Sequence, residues 1–133
     1  MLVAAARGRG SGAILETARR AVLVTTDRVV QEARRRIELG LKRPELVEVL
    51  GDLASVIAIV PVAALEPLIA QCETVLRDAV ASRNGSTRDA RVLALAWSVD
   101  ADVWTTDRDF AGTGVATWST SNLMRGLAEA ANE

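Results

Sequence analysis

Histidine is absent from the 133 residues, and cysteine and lysine occur once each, as Cys72 and Lys42. Without histidine there is no Ser-His-Asp triad, no Cys-His pair and no imidazole metal ligand. A single cysteine excludes an internal disulfide and a cysteine metal cluster. Any chemistry therefore rests on carboxylates, hydroxyls and arginines. Charge excess is missing too: sixteen Lys and Arg face seventeen Asp and Glu, so a nucleic-acid site, if present, is local rather than a property of the whole chain. No apolar run approaches the ~20 residues of a membrane span, and Met1 does not open a signal peptide with a basic front end. The expectation is a cytoplasmic protein with no membrane partner.

What is present is aliphatic. Half the residues are apolar, a quarter are charged and 3% are aromatic, which is the composition of a soluble globular protein. The length suits one domain, residues 1–133, able to bury roughly two thirds of its unfolded surface. Cys72 falls in phase with Leu65, Leu68, Ile69, Leu76 and Ala79 in a helical run over residues 65–81, so a core position is expected for it rather than a nucleophile. The near-exclusive use of arginine among the basic residues favours phosphate gripping through two donors, although base composition of the gene would explain it equally.

Along the chain, strand-like and helical patterns alternate. The apolar opening, residues 1–6, breaks at a glycine loop, residues 8–12, and a short helix is expected over 14–20. Branched runs at 21–25, 55–62, 102–105 and 115–119 read as strands. Helices are expected over 27–39, capped by Thr26 or Asp27, then over 44–53, 65–81 and 87–99, the last capped by Thr87, and finally after a Ser121 cap. Residues 83–86 and 107–114 read as a loop and a turn. Such alternation implies an α/β fold with a mostly parallel sheet covered by helices on both faces.

In such sheets ligands gather at the carboxyl ends of strands, and Asp107 follows the expected strand at 102–105. The plain alternative is an Asx-turn. Asp89 shares a helical stripe with Val92, Leu93, Ala96 and Trp97, so its carboxylate faces inward and asks for a cation or an arginine; the plain alternative is a favourable charge at a helix N-terminus. Glu32 borders the apolar side of the 27–39 helix, with Arg28 and Arg36 four residues either side as ordinary surface partners.

The segments Thr87-Arg-Asp-Ala-Arg-Val-Leu-Ala-Leu-Ala and Ala101-Asp-Val-Trp-Thr-Thr-Asp-Arg-Asp-Phe resemble the carboxyl half of a PIN domain, a fold of many metal-dependent ribonucleases including toxin ribonucleases. Val22-Leu-Val-Thr-Thr-Asp-Arg-Val-Val-Gln-Glu-Ala resembles the family segment that supplies a glutamate. The resemblance implies a three-layer PIN-like fold and an acidic metal site in which Glu32, Asp89 and Asp107 are ligands and catalytic acids, Asp109 assists, and Thr105 and Thr106 supply supporting hydroxyls. It implies Mg²⁺ or Mn²⁺, because hard dications take oxygen ligands, and hydrolysis of RNA phosphodiesters. It implies a cognate antitoxin partner if the chain is a toxin, and leaves room for a homodimer. For RNA, Arg7 and Arg9 in the glycine loop and Arg88, Arg91 and Arg108 near the acids are candidate phosphate contacts, each with a solvated surface arginine as its plain alternative. Trp97, Trp104 and Trp118 lie in regular elements and are expected in the core rather than as stacking platforms.

The likeness departs at the front. The family begins with an apolar strand ending in aspartate, whereas no acid precedes Glu16 here. The expectation is that codons upstream of Met1 encode such a strand, or that residues 1–6 serve as a shortened one. Two other readings compete. A PIN-like module lacking that aspartate would be catalytically silent and bind RNA or a protein. Alternatively Gly8, Gly10 and Ala13 satisfy G-x-G-x-x-A with Asp27 beyond the next strand, a nucleotide-binding pattern for which nothing downstream supplies a hydride-transfer partner.

Overall fold

In the computed structural model, which describes residues 7–8, 10–79, 87–105 and 113–132 and leaves the side chains of 77–79 and 87–89 undescribed, strands and helices alternate as expected. Residues 1–6, the 83–86 loop and most of the 107–114 turn lie outside the described residues. The chain divides into two units, Met1–Val60 with Ala130–Glu133, and Pro61–Glu129.

The first unit contains α1 (Ser11–Ala18), β1 (Val24–Thr26), α2 (Asp27–Arg35), a π-helical turn (Arg36–Gly40), α3 (Leu46–Ala54) and β2 (Ala58–Val60). Gly10 precedes α1 at φ 78, a left-handed conformation that glycine adopts without steric cost. β1 and β2 pair in parallel, Val24 opposite Ala58 and Thr26 opposite Val60. Thr26 ends the strand and caps α2: its hydroxyl accepts the Val29 N–H at 3.2 Å. Asp27 is then the first helical residue, where a negative charge meets the positive end of the helix.

The apolar stripe of α2 buries Ala33 and Ile37 against Leu46 and Leu50 of α3, with Leu41 and Val47 at the margin. The expected 27–39 helix is not α-helical throughout. From Arg36 it widens, and the Leu41 N–H bonds back five residues to the Arg36 carbonyl at 2.9 Å. An apolar repeat cannot distinguish this from α-helix over one turn, because Ile37 is buried either way.

The second unit contains a 3₁₀ turn (Val62–Leu65), α4 (Glu66–Ala79), α5 (Thr87–Val99), β3 (Val103–Trp104), β4 (Thr117–Trp118) and all but the last two residues of α6 (Thr120–Ala131). α4 packs along α5, and the 3₁₀ turn touches both. Leu65, Cys72 and Leu76 from one side and Ala90, Leu93 and Ala94 from the other are all at 2% exposure or less, so Cys72 is a core residue as its phase predicts. α5 ends where expected, and Thr87, expected as its cap, is its first helical residue. Its C-terminus closes with Asp100 at φ 52 and the Ala101 N–H bonded to the Ala96 carbonyl at 2.9 Å, the six-to-one bond of a Schellman cap with aspartate in the place glycine usually takes.

β3 and β4 also pair in parallel, Val103 opposite Thr117 and Trp104 opposite Trp118. Two side-chain bonds cross this pair: the Trp104 indole N–H donates to Thr120 Oγ1 at 3.0 Å, and that of Trp118 to Asp102 Oδ2 at 2.8 Å. A Cβ on Gly126 would lie 3.2 Å from the Trp118 ring, so glycine there lets α6 pass close to the indole. The final helix begins earlier than expected. Its cap is Ser119, whose hydroxyl accepts the Asn122 N–H at 3.2 Å, and not Ser121.

The chain is thus α/β, with six α-helices and short parallel strands among the described residues. The strands are shorter than their branched runs because pairing, not branching, limits them: Leu23 contributes only its carbonyl to Ala58, at 2.8 Å, and Val22 is 83% exposed. Among the described residues no helix is long and apolar enough to cross a membrane.

Two outcomes follow from this packing. Leu50→Ala, at a site 2% exposed, should destabilise by about 2–5 kcal/mol in chemical denaturation, whereas Leu39→Ala, at 65% exposure, should stay within about 0.5 kcal/mol. Burial pushes the Cys72 thiol up from 9.0 to about 11. The folded state therefore favours the neutral thiol, an advantage that is full below pH 9 and is lost as pH rises towards about 11. Disulfide-exchange labelling at pH 8 should be blocked in the native protein and become rapid in denaturant; equally fast labelling of both states would contradict the buried placement.

Candidate functional site

The sequence-derived acids fall in both units, and each is carried by an element whose placement has a local cause. Glu32 lies on α2, six residues beyond the Thr26 cap. Its neighbour Ala33 is buried and its own side chain is 38% exposed, so it borders the buried face as the pattern predicts. Of its two expected partners, Arg28 is there, with Nε 3.9 Å from Glu32 Oε1. Arg36 is not: it makes no ion pair among the described residues. A contact of that length on a largely exposed pair adds well under ~1 kcal/mol.

In the second unit, Asp89 occupies the first turn of α5. Its side chain is undescribed, but the positions four and seven residues on, Leu93 and Ala96, are buried, and Val92 and Trp97 are half-buried. The stripe to which the sequence assigns Asp89 is therefore the packed side of the helix. Thr105 follows β3 and is half-buried, and its N–H donates to the Trp118 carbonyl at 3.0 Å, fixing the carboxyl end of the strand. Thr106, Asp107, Arg108 and Asp109 lie outside the described residues.

Among the basic candidates, Arg7 is exposed and Arg91 is half-buried. The Arg88 side chain and Arg9 are outside the description. Trp97, Trp104 and Trp118 are half-buried. The indole N–H groups of Trp104 and Trp118 are spent within the fold, in keeping with a packing role.

Among the described residues no three Asp, Glu or Cys side chains lie close enough together to hold an ion. The donors available to the candidate site nevertheless have one character. Imidazole is absent from the chain, and its only thiol is buried and held protonated by its surroundings. Carboxylate and hydroxyl oxygens remain, a donor set that fits Mg²⁺ or Mn²⁺ and not a structural zinc.

The sequence reading overlooked Asp102 and Thr120, which hold the two indoles and thereby the β3–β4 register. A signal was available: each partner lies sixteen residues from its tryptophan, Thr120 ahead of Trp104 and Asp102 behind Trp118, and an indole N–H taken partly out of water needs an acceptor.

Searches of curated proteins and of solved structures found no significant match. A family model described as PIN domain, a family whose members are generally nucleases that use divalent metal ions, matches residues 1–128, and the chain belongs to the PIN domain family.

Proposed function

We propose that this protein is a metal-dependent endoribonuclease that hydrolyses RNA phosphodiesters in the cytoplasm as the toxin of a toxin–antitoxin pair. The observation that carries the reading is membership of the PIN domain family over residues 1–128. It is supported by the oxygen-only donor set and by the sequence order, in which Asp107 comes shortly after the residues of β3.

Glu32, Asp89 and Asp107 would hold Mg²⁺ or Mn²⁺, with Asp109 beside them. The ion, when bound, lowers the pKa of a coordinated water and offsets charge that develops on the phosphoryl oxygens. The remaining work belongs to the chain. In α/β folds the helix that feeds a strand runs against it, so the start of α5 and the carboxyl end of β3 share an end of the sheet. Asp107 follows β3 in sequence by three residues, on the side of the sheet to which the start of α5 returns. Thr105 is anchored through its N–H to Trp118 at the carboxyl end of β3, and with Thr106 it would supply the supporting hydroxyls.

The test is cleavage of a labelled single-stranded RNA with Mn²⁺ and with EDTA, in parallel with Mn²⁺ calorimetry. Wild-type protein should bind Mn²⁺ and cleave. Asp107→Asn or Asp89→Asn should lower cleavage by at least ~100-fold, since loss of a ligand or its partners commonly costs 10–100-fold in affinity or activity and here removes a charge as well. Cleavage that survives both EDTA and Asp107→Asn would sink the assignment. A folded protein that binds no Mn²⁺ would leave a PIN-like binding module in its place.

A further inference from the structure

The charge of this chain is unevenly spread. Residues 28–43 hold six of the sixteen basic residues and two of the seventeen acids, a local net charge of +4 within a chain whose total is −1. Three of those six have acidic partners: Arg28 with Glu32 at 3.9 Å, Arg34 with Glu38 at 3.0 Å and Arg43 with Glu45 at 3.0 Å. Arg35, Arg36 and Lys42 are exposed, and their side chains make no ion pair or hydrogen bond among the described residues. Both acids of the stretch are thus engaged while three cations face solvent.

Their position adds meaning to that. Arg35 and Arg36 stand three and four residues beyond Glu32, the two positions that neighbour it one helical turn later. The turn that follows is π-helical, and it delivers Lys42 at φ 53, left-handed for a residue with no glycine-like freedom. Leu39, between them, is 65% exposed. No pocket is needed to bind a polyanion in this way: guanidinium forks take phosphate oxygens through two donors, and an ammonium acts as a point charge beside them.

We infer that Arg35, Arg36 and Lys42 form a phosphate-gripping surface that holds single-stranded RNA backbone alongside Glu32. The identification of the polyanion as RNA rests on the ribonuclease reading; the cationic surface itself does not. An open set of cations of this kind contacts phosphates and positions the strand without selecting its bases.

The experiment is fluorescence anisotropy of a labelled, single-stranded oligoribonucleotide with the full chain in EDTA, so that binding is read without cleavage, over a series of salt concentrations. Arg35→Ala/Arg36→Ala should weaken binding about tenfold or more and flatten the slope of log affinity against log salt by about 1.4, at about 0.7 per phosphate contact for single strands. Arg19→Ala/Arg20→Ala, which removes the same charge from residues that pair with Glu16, should leave both quantities as in wild type. Circular dichroism of each variant establishes that it is folded. An unchanged affinity and slope for folded Arg35→Ala/Arg36→Ala overturns the inference, as does an equal loss in the Arg19→Ala/Arg20→Ala control, or wild-type protein that binds no RNA at low salt. Mn²⁺-dependent cleavage by wild type together with an indifferent Arg35/Arg36 variant would remove this surface and leave the ribonuclease. Patch-dependent RNA binding without any Mn²⁺-dependent cleavage would do the reverse.

Discussion

One threonine sets the geometry on which the first unit depends. Thr26 is the last residue of β1 and the cap of α2, so no loop separates strand from helix. Its hydroxyl satisfies the Val29 N–H at 3.2 Å, and the residue is 1% exposed. An unsatisfied hydroxyl and an orphan N–H at that depth would each cost on the order of 1–3 kcal/mol. The cap therefore fixes where helical phase begins, and phase decides everything downstream: Ala33 and Ile37 turn to the core, Glu32 falls at the border, and Arg35 and Arg36 emerge into solvent. Shifting the start by one residue would rotate all of these by about 100°.

The second unit meets a related demand by different means. β3 and β4 are two residues each, too short for backbone pairing alone to fix a register against slippage. The indole bonds to Asp102 and Thr120 tie side chains across the pair in opposite directions along it. Two large rings also bury apolar area that a pair of short strands would otherwise lack. Asp102 is thus an acid with a structural use, distinct from Asp89, Asp107 and Asp109, the oxygen donors proposed for the metal site.

What the sequence made legible follows from which signals are local. α5 was readable in extent because its apolar stripe and its closing turn are both written within residues 87–101. Thr26 and Asp27 were both plausible caps by residue type, and only the hydrogen bond to Val29 separates them. Strand lengths were overestimated because a branched run records a preference, whereas a strand exists only where a partner pairs, as at Val24–Thr26 and Ala58–Val60. The π-helical turn was illegible because i→i−4 and i→i−5 bonding both bury Ile37. The family was legible through the resemblance of residues 87–96 and 101–110 to it. The free state of Arg36 was not, since by spacing alone it was as good a partner for Glu32 as Arg28.

That last difference bears on how a nearly neutral chain would recognise a polyanion. Phosphodiester and metal-site carboxylates are both anionic, so substrate approach to a cluster of acids is opposed until cations offset it. A bound dication offsets part of that repulsion at the scissile phosphate only. Neighbouring phosphates need cations of their own, close enough to matter within a Debye length of about 8 Å at physiological salt. Arginines already committed to Glu32, Glu38 or Glu45 would have to break those contacts to serve. Arg35 and Arg36 would not, and they sit one turn from Glu32, at the end of α2 and the start of the π-helical turn. Local charge separation along α2, acid at the border of the core and free guanidinium beyond it, would let one helix contribute both to holding a metal and to holding the strand that the metal acts on.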